Sequence, residues 1–136
     1  MGKHVVCRVD EIDIKMGKLV HVEGRDIAVF NLGDRFAAVS NKCPHEGADL
    51  CAGKVFGFPE ADGPGCYRVS DRLMVRCPWH GWEFDLETGR SYVDPNRVRV
   101  KPFDVSVSDG AGLAEGPYQV ETFEVETDGK YVIVEV

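Results

Sequence analysis

The chain of 136 residues has no apolar run approaching the roughly 18 residues that a membrane span requires. Its 16 basic residues are outnumbered by 23 acidic ones, a formal net charge of −7. That balance argues against nucleic acid, whose phosphates need lysine and arginine contacts, and offers no polybasic patch for an anionic membrane. No stretch of ten or more residues has helical periodicity, and there is neither a glycine-rich nucleotide fingerprint nor a 2-His-1-carboxylate set. The segment Met1–Arg8 has charge but no apolar core and no cleavage signal, and Val6 stands where myristoylation after Gly2 needs Ser or Thr. The expectation is a cytoplasmic protein without nucleic-acid or membrane partners. Its five cysteines are an odd count. In a reducing compartment Cys7, Cys51 and Cys66 are expected as free thiols, with a Cys51–Cys66 bridge as the alternative. Cys7 alternates with Val5 and Val9 and reads as core packing.

What is present is a succession of short alternating or apolar runs broken by turn residues, the signature of an all-β chain. The length fits one domain, residues 1–136, with 43% apolar and 29% charged residues. Strands are expected at Val5–Val9, Leu19–Val22, Ile27–Leu32 and Phe36–Ser40, the second and third joined by Glu23-Gly24-Arg25-Asp26. Gly53–Gly65, rich in glycine, proline and phenylalanine, reads as a loop, followed by a small hairpin of Tyr67–Val69 and Leu73–Arg76 around Ser70-Asp71. Further strands are expected at Glu83–Asp85, around Val98 and Val100, over Phe103–Val107, and as a hairpin of Thr122–Thr127 with Lys130–Val136 about Asp128-Gly129. Ser108–Pro117 reads as a loop. The architecture expected is an antiparallel β-barrel or sandwich base (1–40 and 86–136) with an inserted smaller subdomain (41–85).

Two stretches carry the chemistry: Cys43-Pro44-His45-Glu46-Gly47 and Cys77-Pro78-Trp79-His80-Gly81-Trp82. Each offers one thiolate and one imidazole, as C-x-H and C-x-x-H. Such soft to borderline donors suit iron–sulfur or zinc rather than magnesium or calcium. Zinc pairs more often read C-x-x-C and H-x-x-x-H and do not need these prolines and glycines. His4 and His21 fall outside both stretches and are expected on the surface.

Cys-Pro-His-x-Gly-Ala-x-Leu followed by Cys-Pro-Trp-His-Gly-Trp-x-Phe-Asp resembles the Rieske iron–sulfur family. The resemblance implies one 2Fe–2S cluster, with Cys43 and Cys77 on the inner iron and His45 and His80 on the outer. It also implies a shielding shell drawn from Trp79, Trp82, Leu50 and Phe56 or Phe58. Three departures matter. Residues 46–76 put 31 residues between His45 and Cys77, about twice the family's usual separation, which places an insertion near Val55–Leu73. The positions where respiratory and photosynthetic members carry a disulfide are Ala48 and Trp79. The positions where high-potential members carry a hydroxyl and a tyrosine are Trp82 and Phe84. All but the first point to the low end of the family's range of about −150 to +300 mV.

The leading functional expectation is a stand-alone Rieske ferredoxin, with no catalytic residues of its own, passing single electrons from a ferredoxin reductase to a terminal oxygenase. The alternatives are a tightly bound subunit of another oxidoreductase, such as nitrite reductase, whose small subunit has this fold but usually lacks the ligands, and a zinc-stabilised interaction module.

Overall fold

In the computed structural model the described residues are 3–43, 47–63, 66–78, 82–91, 97–109, 119–120 and 129–136, with 58–63, 66–72 and 119–120 described by backbone only. Ten strands follow one another among the described residues: β1 Lys3–Arg8, β2 Gly17–Val22, β3 Arg25–Asn31, β4 Phe36–Ser40, β5 Lys54–Gly63, β6 Cys66–Arg76, β7 Glu83–Asp85, β8 Pro102–Asp109, β9 Gln119–Val120 and β10 Lys130–Glu135. The only helical pieces among the described residues are single 3-10 turns at Val9–Glu11 and Leu50–Ala52. The chain is all-β. A seven-stranded sheet runs β2-β3-β4-β8-β10-β1-β9, and a three-stranded antiparallel sheet runs β5-β6-β7.

The β2–β3 hairpin closes on Glu23 and Gly24, at φ 50° and 76°. Two consecutive left-handed residues match the right-handed twist of the flanking strands, so this two-residue turn fixes the register Val22↔Arg25 through Gly17↔Phe30. On β3, Ile27, Ala28, Val29 and Phe30 are all at 0% exposure, so both faces of the strand are covered. Ile27 and Val29 join a core with Cys7, Ile12, Val20, Val22, Ala38, Val132 and Val134 inside the curled large sheet. Ala28 and Phe30 face the other way, into a second core shared with Val39, Cys43, Leu50, Val55, Val75, Cys77, Phe84 and Leu86. β3 and β4 are therefore a wall between two cores, which is why this stretch reads as a continuous apolar run rather than a clean alternation.

Several expectations are corrected. Over its described residues Gly53–Gly65 is not a loop: Lys54–Gly63 is β5, paired with β6 from Lys54↔Arg76 to Gly63↔Cys66, while 64–65 lie outside the described residues. Pro59 is tolerated because β5 is an edge strand and the register shifts between Gly57 and Pro59. Ser70-Asp71 does not turn the chain. With Gly57 opposite Leu73 and Pro59 opposite Val69, residues 70–72 bulge opposite the single residue 58. Val98 and Val100 alternate inward as expected, half-buried and buried, but their segment makes only an isolated bridge, Arg90↔Arg99. β9, which lies parallel to β1, was not foreseen. Of the expected loop, Ser108 and Asp109 belong to β8, while 110–117 and the expected strand Thr122–Thr127 lie outside the described residues.

His4 is also corrected. It is 3% exposed, with Nε2 3.6 Å from Glu23 Oε2, because it stands opposite the core residue Val134 on the face of β1 that also carries Cys7, and the register shift between Val5 and Cys7 keeps both on that face. His21 is exposed as expected, its Nδ1 2.5 Å from Asp26 Oδ1.

Candidate metal centre

The large sheet delivers the chain to the first loop through β4 and Asn41. Asn41 is 1% exposed. Its N–H donates to Asp26 O (2.9 Å), its carbonyl accepts from Leu50 N–H (2.7 Å), its Oδ1 accepts from Cys51 N–H (3.0 Å), and its Nδ2 donates to Asp49 Oδ1 (3.0 Å). One buried amide thus ties the start of the loop to its end. Next to it Lys42 Nζ lies 2.5 Å from Asp49 Oδ1. That hydrogen bond holds the Asp49 carboxyl below its ordinary range and the Lys42 ammonium above its own. Asn41 is the positioning residue that sequence reasoning missed; a lone asparagine after a strand reads as turn chemistry.

Within the loop, Cys43 N–H donates to Ala48 O (2.8 Å) and Gly47 N–H donates to Cys43 O (2.7 Å). Gly47 has φ 80°, a left-handed conformation that a side chain would strain. The second loop repeats the closure: Cys77 N–H donates to Trp82 O (2.7 Å). In both loops a cysteine amide reaches the carbonyl five residues on, so each cysteine sits at the neck of a short ring.

The second loop is held by the small sheet. β6 leads into it and β7 leads out, paired as Met74↔Asp85, Val75↔Phe84 and Arg76↔Glu83. Arg76 Nη2 lies 2.9 Å from Glu83 Oε2, and its guanidinium stacks 4.9 Å above the Phe56 ring. After β7, Asp85, 3% exposed, accepts at Oδ1 from Glu87 N–H (2.8 Å) and Thr88 N–H (3.1 Å) and so turns the chain back. Gly89 follows at φ 75°; a Cβ there would lie 1.9 Å from Val100 O, so no other residue fits.

Cys43 and Cys77 are 34 residues apart in sequence, yet both lie in the second core, at 2% and 3% exposure, and neither is in a disulfide. Leu50, at 0% exposure, and Phe84 pack in the same core, with Trp82 half-buried against it. His45, His80 and Trp79 lie outside the described residues, and only the backbone of Phe58 is described. Among the described residues no three His, Cys, Asp or Glu side chains stand together in a metal-binding group. Two buried thiols brought together from two matching loops, each with a histidine two or three positions on in sequence, are the donor set a two-iron, two-Cys, two-His cluster needs. The remaining described cysteines are elsewhere in role. Cys7 belongs to the other core, and burial pushes its thiol up to about 12. Cys51 is half-buried, in no disulfide, its thiol also raised by burial. A Cys51–Cys66 bridge is excluded by length. Cys66 pairs with Gly63 at the hairpin's far end, ten residues along β6 from Arg76. At about 3.3 Å per residue that is roughly 30 Å from the base where Cys51 lies, against the ~7 Å a disulfide spans.

Residues 2–104 match the family described as the Rieske [2Fe-2S] domain. The chain is 29% identical over 110 residues to the 3-phenylpropionate/cinnamic acid dioxygenase ferredoxin subunit of Photorhabdus laumondii, covering 81% of this chain and 90% of that protein. It is 30% identical over 113 residues to methylxanthine N1-demethylase NdmA of Pseudomonas putida, covering 74% of this chain but only 28% of that much longer protein. A crystal structure described as that of an NADH-dependent nitrite reductase small subunit from Mycobacterium tuberculosis superposes with a TM-score of 0.67 at 26% identity, covering 98% of this chain and 95% of that one.

The chain belongs to the Rieske [2Fe-2S] domain family. Its cofactor is one 2Fe–2S cluster of the Rieske type.

Proposed function

We propose that Cys43 and Cys77 ligate one iron of the cluster and His45 and His80 the other, and that the protein carries single electrons from a reductase to a terminal oxygenase. The observation that carries the ligand assignment is the burial of Cys43 and Cys77 in one core, each with its N–H on the carbonyl five residues on at the neck of its loop. When bound, the cluster accepts and releases one electron. Neutral imidazoles in place of two thiolates make that uptake easier than in an all-cysteine cluster. The chain's own part is to fix the two thiols and to exclude water from their side with Leu50, Phe84, Val75 and Leu86. On this reading the large sheet is a base and the β5–β7 sheet, with both loops, the cluster-binding subdomain of a single domain. Cys7, Cys43, Cys51 and Cys77, none in a disulfide, fit a reducing cytoplasm.

The oxygenase partner is supported by the ferredoxin subunit that matches this chain over 90% of its own length. The test is stopped-flow mixing of the dithionite-reduced protein with a terminal oxygenase from its own host. Oxidation of the protein faster than oxygenase turnover supports the carrier role; no electron transfer to any such oxygenase sinks it. The likeness to a nitrite reductase small subunit favours a second reading, a permanently bound electron-transfer subunit. Gel filtration of the natively expressed protein separates the two: a carrier elutes as a small species, and a bound subunit co-elutes with a catalytic chain in fixed ratio.

A further inference from the structure

The fold gathers a cationic strip that the overall charge conceals. Arg97, Arg99 and Lys101 are exposed and alternate with half-buried Val98 and buried Val100, so the three point to one side. Arg90, also exposed, is the antiparallel bridge partner of Arg99, which puts two like charges side by side, a destabilising arrangement when nothing offsets it. Ser91 N–H to Val98 O (3.0 Å) and Val100 N–H to Gly89 O (2.7 Å) fix the two segments together. Lys101 Nζ is steadied 5.2 Å above the Phe103 ring. Thr88, Arg99, Val100, Lys101 and Pro102 line an open cleft of about 420 Å³ beside the strip. Among the described residues Arg35 is paired with Glu87, Lys42 with Asp49 and Arg76 with Glu83, whereas Lys3, Lys15, Lys18, Arg25, Lys54 and Lys130 stand singly; what sets the strip apart is that its cations stand together. The strip's four make no ion pair among the described residues, and the one acid in the intervening sequence, Asp94, lies outside them.

The strip runs from the cluster-bearing side toward the base. Ser91 bridges to Phe84, two residues after Trp82 at the neck of the second loop, while Ser40 N–H binds Lys101 O (2.9 Å) at the base end. At about 4.8 Å per strand and 3.3 Å per residue, Val98 is on the order of 12 Å from Trp82. That is beyond the screening length of about 8 Å in physiological salt, so there the strip acts on a partner by contact, and its field reaches the loop only at low ionic strength, where the screening length grows toward about 30 Å.

We infer that Arg90, Arg97, Arg99 and Lys101 form a docking strip for an acidic protein surface, orienting a redox partner over the second cluster loop. An extended polyanion such as a membrane face or nucleic acid fits less well. Taking these four cations from the total of −7 leaves −11 on the rest of the chain, which repels any anionic surface reaching beyond the strip. The inference rests on the electron-carrier reading and deepens it by naming the chemistry of the partner's face.

Two measurements test it, and it requires both. In calorimetry, a deca-glutamate peptide binds the wild-type protein at about 20 mM salt and roughly tenfold more weakly at about 200 mM, as expected of screened charge pairs. Arg97→Gln/Arg99→Gln and the fourfold glutamine variant lose most of that binding while keeping the wild-type visible spectrum. In stopped flow, the reduced protein gives one electron to hexacyanoferrate(III), which becomes hexacyanoferrate(II). A uniformly acidic protein repels this trianion, so its rate would rise with salt; the strip makes the wild-type rate fall severalfold over the same range, and the variants reverse the trend. A wild-type rate that rises with salt, or peptide binding unchanged in the variants, overturns the inference. So does salt-sensitive sedimentation with phosphatidylserine vesicles that the variants abolish, which would make the strip a membrane contact. Failure of the carrier reading looks different: no cluster spectrum, or no electron delivered to hexacyanoferrate at any salt.

Discussion

At the residue scale, the four proposed ligands divide from the other cysteines and histidines by position in the two loops. Cys43→Ser, His45→Ala, Cys77→Ser and His80→Ala are each expected to lose most of the iron, whereas Cys51→Ser and His21→Ala keep it; iron content and the visible spectrum decide. A His45→Ala protein with full iron would remove His45 from the site. Asn41 acts indirectly. Truncating it to Ala leaves the Cys51 N–H without its acceptor, at a cost of about 1–3 kcal/mol, read in a denaturant titration together with faster loss of iron to a chelator. Cys7 gives a pH dependence. Its thiol titrates near 12 in the folded chain against 9.0 when unperturbed. As pH rises above the unfolded value, the unfolded chain gains a thiolate that the folded chain does not. Stability is therefore unaffected below about pH 9 and falls toward pH 12 by at most about 1.4 kcal/mol per unit. Cys7→Ala should flatten that alkaline decline in thermal melts; an unchanged decline sinks the assignment.

At the element scale, the β5–β6 hairpin separates into two parts. Its base is held by β7 against residues 74–76 and contributes Val55 and Val75 to the core around the cysteines. Beyond the bulge at 70–72 the ribbon is two-stranded, with no ladder to a third strand among the described residues. Replacing residues 58–72 by a two-residue Asn-Gly turn is therefore expected to keep iron content and to change Tm by only a few degrees. Loss of the cluster in this variant would show that the distal ribbon supports the site. The composition of this segment misled because glycine and proline mark turns only where the backbone lacks a partner strand; here β6 supplies one, and the bulge and the sheet edge accommodate the residues that would break a central strand.

At the scale of the whole molecule, the fold sets the thiols in a core whose described aromatic members, Phe30, Phe84 and the half-buried Trp82, carry no hydroxyl. The midpoint potential is expected below about 0 mV, nearer the −150 mV end of the family range. Trp82→Ser is expected to raise it, since position 82 is half-buried at the loop neck and can place a hydroxyl there. Phe84→Tyr carries a cost in addition, because the side chain is at 0% exposure and a buried hydroxyl must find an acceptor. Protein-film voltammetry checks both; a wild-type midpoint well above about +100 mV contradicts the low-potential reading.

The sequence by itself determined the all-β class, the strands β4 and β7 to the residue and β2 and β3 to within two, and the two loops that carry the candidate ligands. Those features are local: turn residues, alternation and the spacing of donor side chains act over a few residues. Only the tertiary structure decided that Cys43 and Cys77 share one core, that Asn41 ties the first loop shut, that His4 is buried and that β3 and β4 wall off two cores. It alone decided that Arg90 stands beside Arg99 in an acidic chain. Each of these depends on which strands pair and in what register, and pairing joins residues too far apart in sequence for any local pattern to record it.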